Sequence, residues 1–153
     1  MIFLDYLDLL GYLTERGVQY DVIVNGTSIK TLDDILRLQL APERVVKSLL
    51  LKSKYGTLVA SIPMSGRLNI GKVRGILGTG VGFAGASEIP NYGYEVGAVP
   101  PMYHRDVSMY LFDKKLTNYP RVLSGSGYTD KLIELNVEDI VKLSRPKICD
   151  ISD

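Results

Sequence analysis

The alternation of apolar and polar positions divides the first third of the chain into short elements. Phe3, Leu7 and Leu10 recur at helical spacing with acidic residues between them, which predicts an amphipathic helix ending near Gly17. The following stretch, QYDVIV, alternates as a half-buried strand does. Thr31, followed by two aspartates, then predicts the N-cap of a second helix.

Two apolar runs in the middle of the chain predict a hairpin. RVVKSLLLK and TLVASIP are separated by the turn KYG, so Lys47–Lys52 should pair with Thr57–Ile62. The first run is apolar on both faces and should therefore be covered on both. A lysine in such a strand is unfavourable unless its ammonium reaches water, an acid or a ligand. Spacing alone favours a side chain that extends to the rim over a functional lysine, and both interpretations stay open.

The glycine-rich stretch GTGVGFAG contains the dinucleotide-binding pattern GxGxxG at Gly80–Gly85. That pattern binds a pyrophosphate only when a strand precedes the glycines and a helix follows them. Here the helical pattern NIGKVRGIL precedes them, Gly78 occupies a C-cap position, and the short strand VGFAG follows. We therefore reject a nucleotide-dependent enzyme.

Short strands dominate the remainder of the chain. SMYLFD, RVLSG and KLIEL have strand character. Asn136 should cap a helix that Pro146 stops, and ICDI should form a last edge strand. Strands and helices do not alternate strictly, so we expect one α+β domain over residues 1–153, with a mixed, curved, barrel-like sheet flanked by helices.

Composition narrows the possible functions. The 153 residues carry 18 basic and 17 acidic side chains, a net charge of +1, so any RNA contact must be small, local or assisted by a partner. One cysteine and one histidine give no disulfide and no zinc site, and we expect no metal or cofactor. No apolar run spans the roughly 18 residues that a membrane helix needs, and the N-terminus lacks a basic signal region. We therefore expect a cytoplasmic protein.

Two further segments and one histidine are candidates for chemistry. GAVPP, from Gly97 to Pro101, is a stiff loop that could present main-chain N–H groups, or a rigid connector. SGSG, from Ser124 to Gly127, could be a polar cradle or an ordinary turn. His104 could be an acid–base group, although a lone loop histidine more often has a hydrogen-bonding role.

The order of the Lys47 strand, the GAVPP loop and the SGSG turn resembles the YbaK-like family, which includes the editing domain of prolyl-tRNA synthetase. The resemblance rests on RVVKSLLLK, IPMSGRLNIGKV, GYEVGAVPP and IELNVEDIVKL, and covers about residues 2 to 151. The sequence departs from the family pattern at Asn69, at Gly71 and at Met102-Tyr103. These departures touch loops that shape the pocket, so they leave the amino-acid preference open.

The resemblance implies a freestanding hydrolase that deacylates mischarged tRNA, typically alanine or cysteine on proline tRNA, without a metal. It assigns catalytic roles to Lys47 and Gly97. It assigns substrate binding to seven further residues: Arg67, Val99, Pro100, His104, Ser124, Gly125 and Ser126. The implied partner is the acceptor end of aminoacyl-tRNA, with an aminoacyl-tRNA synthetase as a further hypothesis, and neither DNA nor a membrane is expected.

Gripping the acceptor end would need only a few basic groups, such as Arg44, Arg67, Lys72 and Arg74. The alternative function is a non-catalytic module of the same fold that binds a nucleotide, a tRNA 3′ end or a protein.

Overall fold

A computed structural model describes residues 4–94 and 96–153. Its four helices and eight strands are numbered here in chain order. The helices are α1 (Tyr6–Glu15), α2 (Leu32–Arg37), α3 (Ile70–Leu77) and α4 (Val137–Ser144). The strands are β1 (Tyr20–Val24), β2 (Val46–Ser53), β3 (Gly56–Pro63), β4 (Val81–Phe83), β5 (Val107–Asp113), β6 (Arg121–Gly125), β7 (Lys131–Asn136) and β8 (Lys147–Cys149).

The two predicted N-terminal helices are confirmed, and both begin with a capping box. The Asp5 carboxylate accepts from the Asp8 N–H at 3.0 Å, and the Asp8 carboxylate accepts from the Asp5 N–H at 3.1 Å. Thr31 and Asp34 form the same reciprocal pair at the start of α2. Gly17 follows α1 with φ +68°, as its predicted role requires. Phe3, the first apolar position of the predicted helix, lies outside the described residues.

The strands form two open sheets. The first is antiparallel with the order β1-β7-β6, and the second is mixed with the order β4-β2-β3-β5-β8. A bridge between Val45 and Leu123 connects them. The predicted α+β fold with a curved sheet is confirmed, but the strands do not close into a barrel.

The central hairpin has the predicted register. Lys47 pairs with Ile62 and Lys52 pairs with Thr57. Leu51 packs in a cluster with Val73 of α3 on one face of β2, and Leu50 packs with Ala84 on the other. The prediction that both faces of this strand are covered is therefore confirmed.

The glycine-rich stretch joins a helix to a strand in the order that excludes dinucleotide binding. Asn69 caps α3 by accepting from the Lys72 main chain at 3.1 Å. Gly78 ends α3 with φ +67°, a left-handed conformation that glycine adopts readily. The chain then enters β4 rather than a second helix.

The C-terminal elements follow the prediction with one correction. Asn136 precedes α4, but its side chain donates to the Asp139 carboxylate at 3.2 Å instead of capping a main-chain N–H. Strand β8 forms the predicted edge beside β5. Among the described residues, no helix combines the length and the apolar character needed to cross a membrane.

Candidate active site

A cleft opens where β2 and β6 diverge. The two strands meet at the Val45–Leu123 bridge, and β6 then ends at Gly125, while β2 gains its other neighbour, β4, only from Leu51 onward. The space between them is a cleft of about 340 Å³. Its wall is mainly apolar and includes Ile29, Val45, Leu50, Met64, Ala84 and Ile89.

Lys47 lines this cleft and is half-buried. Partial burial, and then the positive charge of Arg67, lower the pKa of its ammonium below the usual value. Among residues 4–94 and 96–153, no carboxylate lies within ion-pair distance of Lys47, and its ammonium makes no side-chain hydrogen bond. The group is thus a cation held in a largely apolar wall, available to an anion or a polarised carbonyl.

The GAVPP loop, which begins at the Gly97 bend, and the SGSG turn, which contains the Gly125 bend, lie against each other at the same cleft. Gly97 has φ +86°, a conformation that side chains disfavour. A methyl group on Gly125 would lie 2.5 Å from the Val99 carbonyl oxygen, so the chains approach as closely as glycine permits. The Gly127 N–H donates to the Ala98 carbonyl at 2.9 Å and holds the loop there. The structure therefore brings together Lys47, Gly97, Val99 and Gly125.

The serine hydroxyls of the SGSG turn form hydrogen bonds within the protein and do not line the cleft. Ser124 and Ser126 are both buried. The Ser124 hydroxyl donates to the Ile133 carbonyl at 3.4 Å, and the Ser126 hydroxyl to the Lys131 carbonyl at 2.7 Å. Pro100 is buried and Arg67 is exposed, and neither lines the cleft. Substrate binding by these residues stays a prediction that the geometry does not support directly.

His104 lies behind the GAVPP loop rather than in the cleft. Its Nδ1 is 2.9 Å from the Tyr110 hydroxyl, and its ring meets the Tyr94 ring edge-on. Burial lowers the pKa of the imidazole to about 3, opposed by the Pro100 carbonyl beside it, so the ring is neutral. This arrangement suits support of the loop, whereas direct binding of substrate by His104 stays a prediction.

Three of the basic groups proposed to grip RNA already have partners. Arg44 lies 3.6 Å from the Glu134 carboxylate, and Lys72 lies 3.1 Å from that of Asp150. Arg74 donates to the Val81 carbonyl at 3.1 Å. None of them lines the cleft.

Sequence analysis missed most of the residues that line the cleft, among them Lys30, Ser48, Phe83 and Val96. The stem of Lys30 packs on the Gly97 bend, since a Cβ at Gly97 would lie 3.3 Å from its Cγ. Phe83 is 59% exposed and offers an aromatic surface at the mouth. No periodic signal marks these residues, because the tertiary fold alone brings them to the cleft.

The described ranges contain no set of three His, Cys, Asp or Glu side chains close enough to share a metal ion.

The family of aminoacyl-tRNA editing domains matches residues 27–143, about three quarters of the chain, and this segment includes every cleft residue named above. The chain belongs to this family. No curated protein matches it.

Solved structures share the fold of this editing domain over almost its whole length. A candidate trans-editing enzyme for prolyl-tRNA synthetase has 22% identity and a TM-score of 0.87, covering 97% of this chain and 96% of that one. A hypothetical protein has 24% identity and a TM-score of 0.86, with 95% and 99% covered. A scaffold for grafted linear epitopes has 21% identity and a TM-score of 0.86, with 97% and 96% covered. At these identities the likeness establishes the fold.

Proposed function

We propose that this editing domain hydrolyses, in trans, the ester bond of mischarged aminoacyl-tRNA. The observation that carries the proposal is the meeting of Lys47 with the Gly97 and Gly125 bends in one cleft. Alanyl and cysteinyl esters of proline tRNA are the first candidates, supported by the structural neighbour described for prolyl-tRNA synthetase.

A separate hydrolytic site is needed because a synthetase has limited ability to distinguish small amino acids. A synthetase pocket discriminates poorly between small apolar amino acids, because a missing methylene changes binding by only about 1–3 kcal/mol. A second cleft that admits the smaller side chain can remove the wrong product. The apolar wall formed by Ile29, Val45 and Met64 suits such a side chain.

The chemistry requires a placed water and stabilised charge. Water attacks the carbonyl carbon of the ester directly, or the substrate's own hydroxyl or thiol attacks it first and gives a new ester or thioester that water then hydrolyses. The bond from that carbon to the ribose oxygen breaks, the ribose oxygen takes a proton, and the amino acid is released. Main-chain N–H groups near Gly97 and Gly125 would hold the developing oxyanion. The Lys47 ammonium would face the scissile ester or the phosphate of the terminal nucleotide.

Selection of the tRNA body is assigned to a partner. With a net charge of +1, the domain has little capacity to hold a whole tRNA by its phosphates. We propose that a synthetase supplies the remaining contacts. A pull-down in which the tagged domain recovers no synthetase, with or without tRNA, would contradict this.

The direct test is a deacylation panel with alanine, cysteine, serine and threonine esterified to several tRNAs. We expect Lys47→Ala to lower the rate about a hundredfold, as loss of a group that stabilises the transition state does. Lys52→Ala is the matched control, because Lys52 lies on the same strand but pairs with Glu88 at 2.7 Å outside the cleft.

A folded Lys47→Ala protein with the wild-type rate would refute the role of this lysine. A wild-type protein that binds tRNA-end analogues but cleaves none of the esters would support the non-catalytic alternative.

A further inference from the structure

The main-chain groups of β2 point alternately toward and away from β3. In an antiparallel pair, one residue directs both its N–H and its C=O to the neighbouring strand, and the next directs both away. The Met64 N–H donates to the Val45 carbonyl at 2.8 Å, so the main-chain N–H and C=O of Val45 point toward β3. Lys47 and Leu49 lie two and four positions after Val45, so their main-chain groups also point toward β3. Ser48, between them, therefore directs its N–H and C=O to the outer edge.

Two observations agree with this assignment. Leu50 lies two positions after Ser48, so its main-chain groups should point the same way. Its carbonyl does accept from the Ala84 N–H at 3.0 Å, on the side of β2 away from β3. Pro63 lies opposite Val46, at a position where the pairing of β2 with β3 uses no N–H from β3, so its missing donor is tolerated.

The outer edge is open at Ser48. On one side β6 touches the strand at Val45, and on the other β4 pairs with it over Leu51–Ser53. Between these points, neither sheet ladder of the described chain gives Ser48 an outer partner. Ser48 lines the cleft that separates β6 from β4.

We infer that the main chain of Ser48 is a docking edge for the aminoacyl group of the substrate. Its carbonyl accepts from the α-ammonium, and its N–H donates to the acyl carbonyl, so the amino acid pairs with β2 as one residue of an added strand. This inference rests on the proposed function and defines its substrates as esters of α-amino acids with a free amine. It holds the reacting carbonyl in the cleft that Lys47, Gly97 and Gly125 line.

The side chain of Ser48 is already engaged. Its hydroxyl lies 2.9 Å from the Ser61 hydroxyl, across the pair with β3. Replacing the hydroxyl should therefore matter little, whereas replacing the main-chain N–H should matter much. A nucleophilic or side-chain role for Ser48 predicts the opposite order.

The test replaces the Ser48 amide by an ester, which removes the N–H and leaves the side chain. We expect kcat/KM for alanyl-tRNA to fall about tenfold, the effect of one lost hydrogen bond to substrate. Ser48→Pro, which removes the same N–H genetically, should behave alike, and Ser48→Ala, which keeps the N–H, should lower kcat/KM less than either. The same ester replacement at Lys52, which pairs with Gly82 of β4, controls for lost stability. A folded residue-48 ester protein with the wild-type rate would overturn the inference.

A binding measurement separates this inference from the hydrolase proposal. The probes are 3′-alanylamino-3′-deoxyadenosine, which cannot be hydrolysed as an ester, and its propionylamino counterpart, which lacks the amine. We expect wild type to bind the alanyl probe about tenfold more tightly, and the residue-48 ester to weaken that binding. This result without any ester cleavage would sustain the docking edge and refute hydrolysis. Equal affinity for both probes, or no binding of either, would overturn the docking edge.

Discussion

The residues around Lys47 determine its lowered pKa and its position in the cleft. On an exposed strand its ammonium would be solvated like any other. In β2 its stem lies between covered faces, and burial, followed by the charge of Arg67, lowers the pKa of its amine. The sequence indicates an unusual lysine, because RVVKSLLLK is apolar on both sides. It does not decide between a rim position and a site, since that choice depends on Gly97 and Gly125, far along the chain.

Gly125 provides the sharpest test at the scale of one residue. A Gly125→Ala methyl would meet the main chain of Val99, which cannot turn aside as a side chain can. We expect the GAVPP loop to shift and deacylation to fall at least tenfold, because misplacement of about 1 Å can reduce rates a hundredfold. The measurement is kcat/KM for deacylation of alanine esterified to proline tRNA.

Gly78→Ala is the matched control for that variant. Gly78 has φ +67°, but a methyl group there would meet nothing within 4 Å. We expect it to lower the free energy of unfolding by about 1 kcal/mol and to leave the rate unchanged. A Gly125→Ala protein that retains the wild-type rate would show that close approach of the two bends is not needed.

At the scale of elements, local signals predict local structure well. The hairpin of β2 and β3 could be predicted with its register, because period-two alternation flanks a short turn. The capping boxes of α1 and α2 follow from residues three positions apart. The divergence of β2 from β6 could not be predicted, since the Val45–Leu123 contact joins distant segments and leaves no periodic trace.

His104, which lies behind the GAVPP loop, should make the free energy of unfolding depend on pH. Burial lowers the pKa of His104 to about 3 in the folded protein, while an unfolded histidine titrates near 6.5. Between these values the unfolded chain binds a proton that the folded protein does not. The stabilisation by neutral His104 is therefore complete above about pH 6.5 and is lost progressively as the pH falls toward 3.

The measurement for this prediction is denaturant unfolding at a series of pH values. A His104→Asn variant should show a shallower slope of unfolding free energy against pH between about 3 and 6.5. Comparing slopes removes the constant effect of the lost Tyr110 contact. Equal slopes in the two proteins would mean that His104 is charged in the folded state.

At the scale of the whole molecule, near-balanced charge sets how RNA is held. Lys72 and Arg44 lie within ion-pair distance of carboxylates, so not every cation of this editing domain is equally available to phosphates. Lys30, exposed at the cleft beside Gly97, is among the available ones. Composition could predict this limit, because it is a sum over the chain. It could not predict which cations are available, because ion pairs depend on the fold.

Salt dependence tests this limit. If about two phosphates are contacted, binding of a single-stranded acceptor end should weaken less than tenfold between 50 and 200 mM salt. Lys30→Ala should reduce the slope of log affinity against log salt by about 0.7. Lys142→Ala, in which Glu138 loses an exposed helical ion-pair partner, should leave the slope unchanged. A slope typical of many phosphate contacts would contradict this account.

The pairing of β1 with β7 has a consequence for biosynthesis. Tyr20 aligns with Leu135, so the β1 segment of the nascent polypeptide has no partner strand until the β7 segment, more than a hundred residues further along the chain, has left the ribosome. Until then Val22 and Ile23 have no neighbouring strand in their sheet, and a stalled translation product would expose them to chaperones or to aggregation.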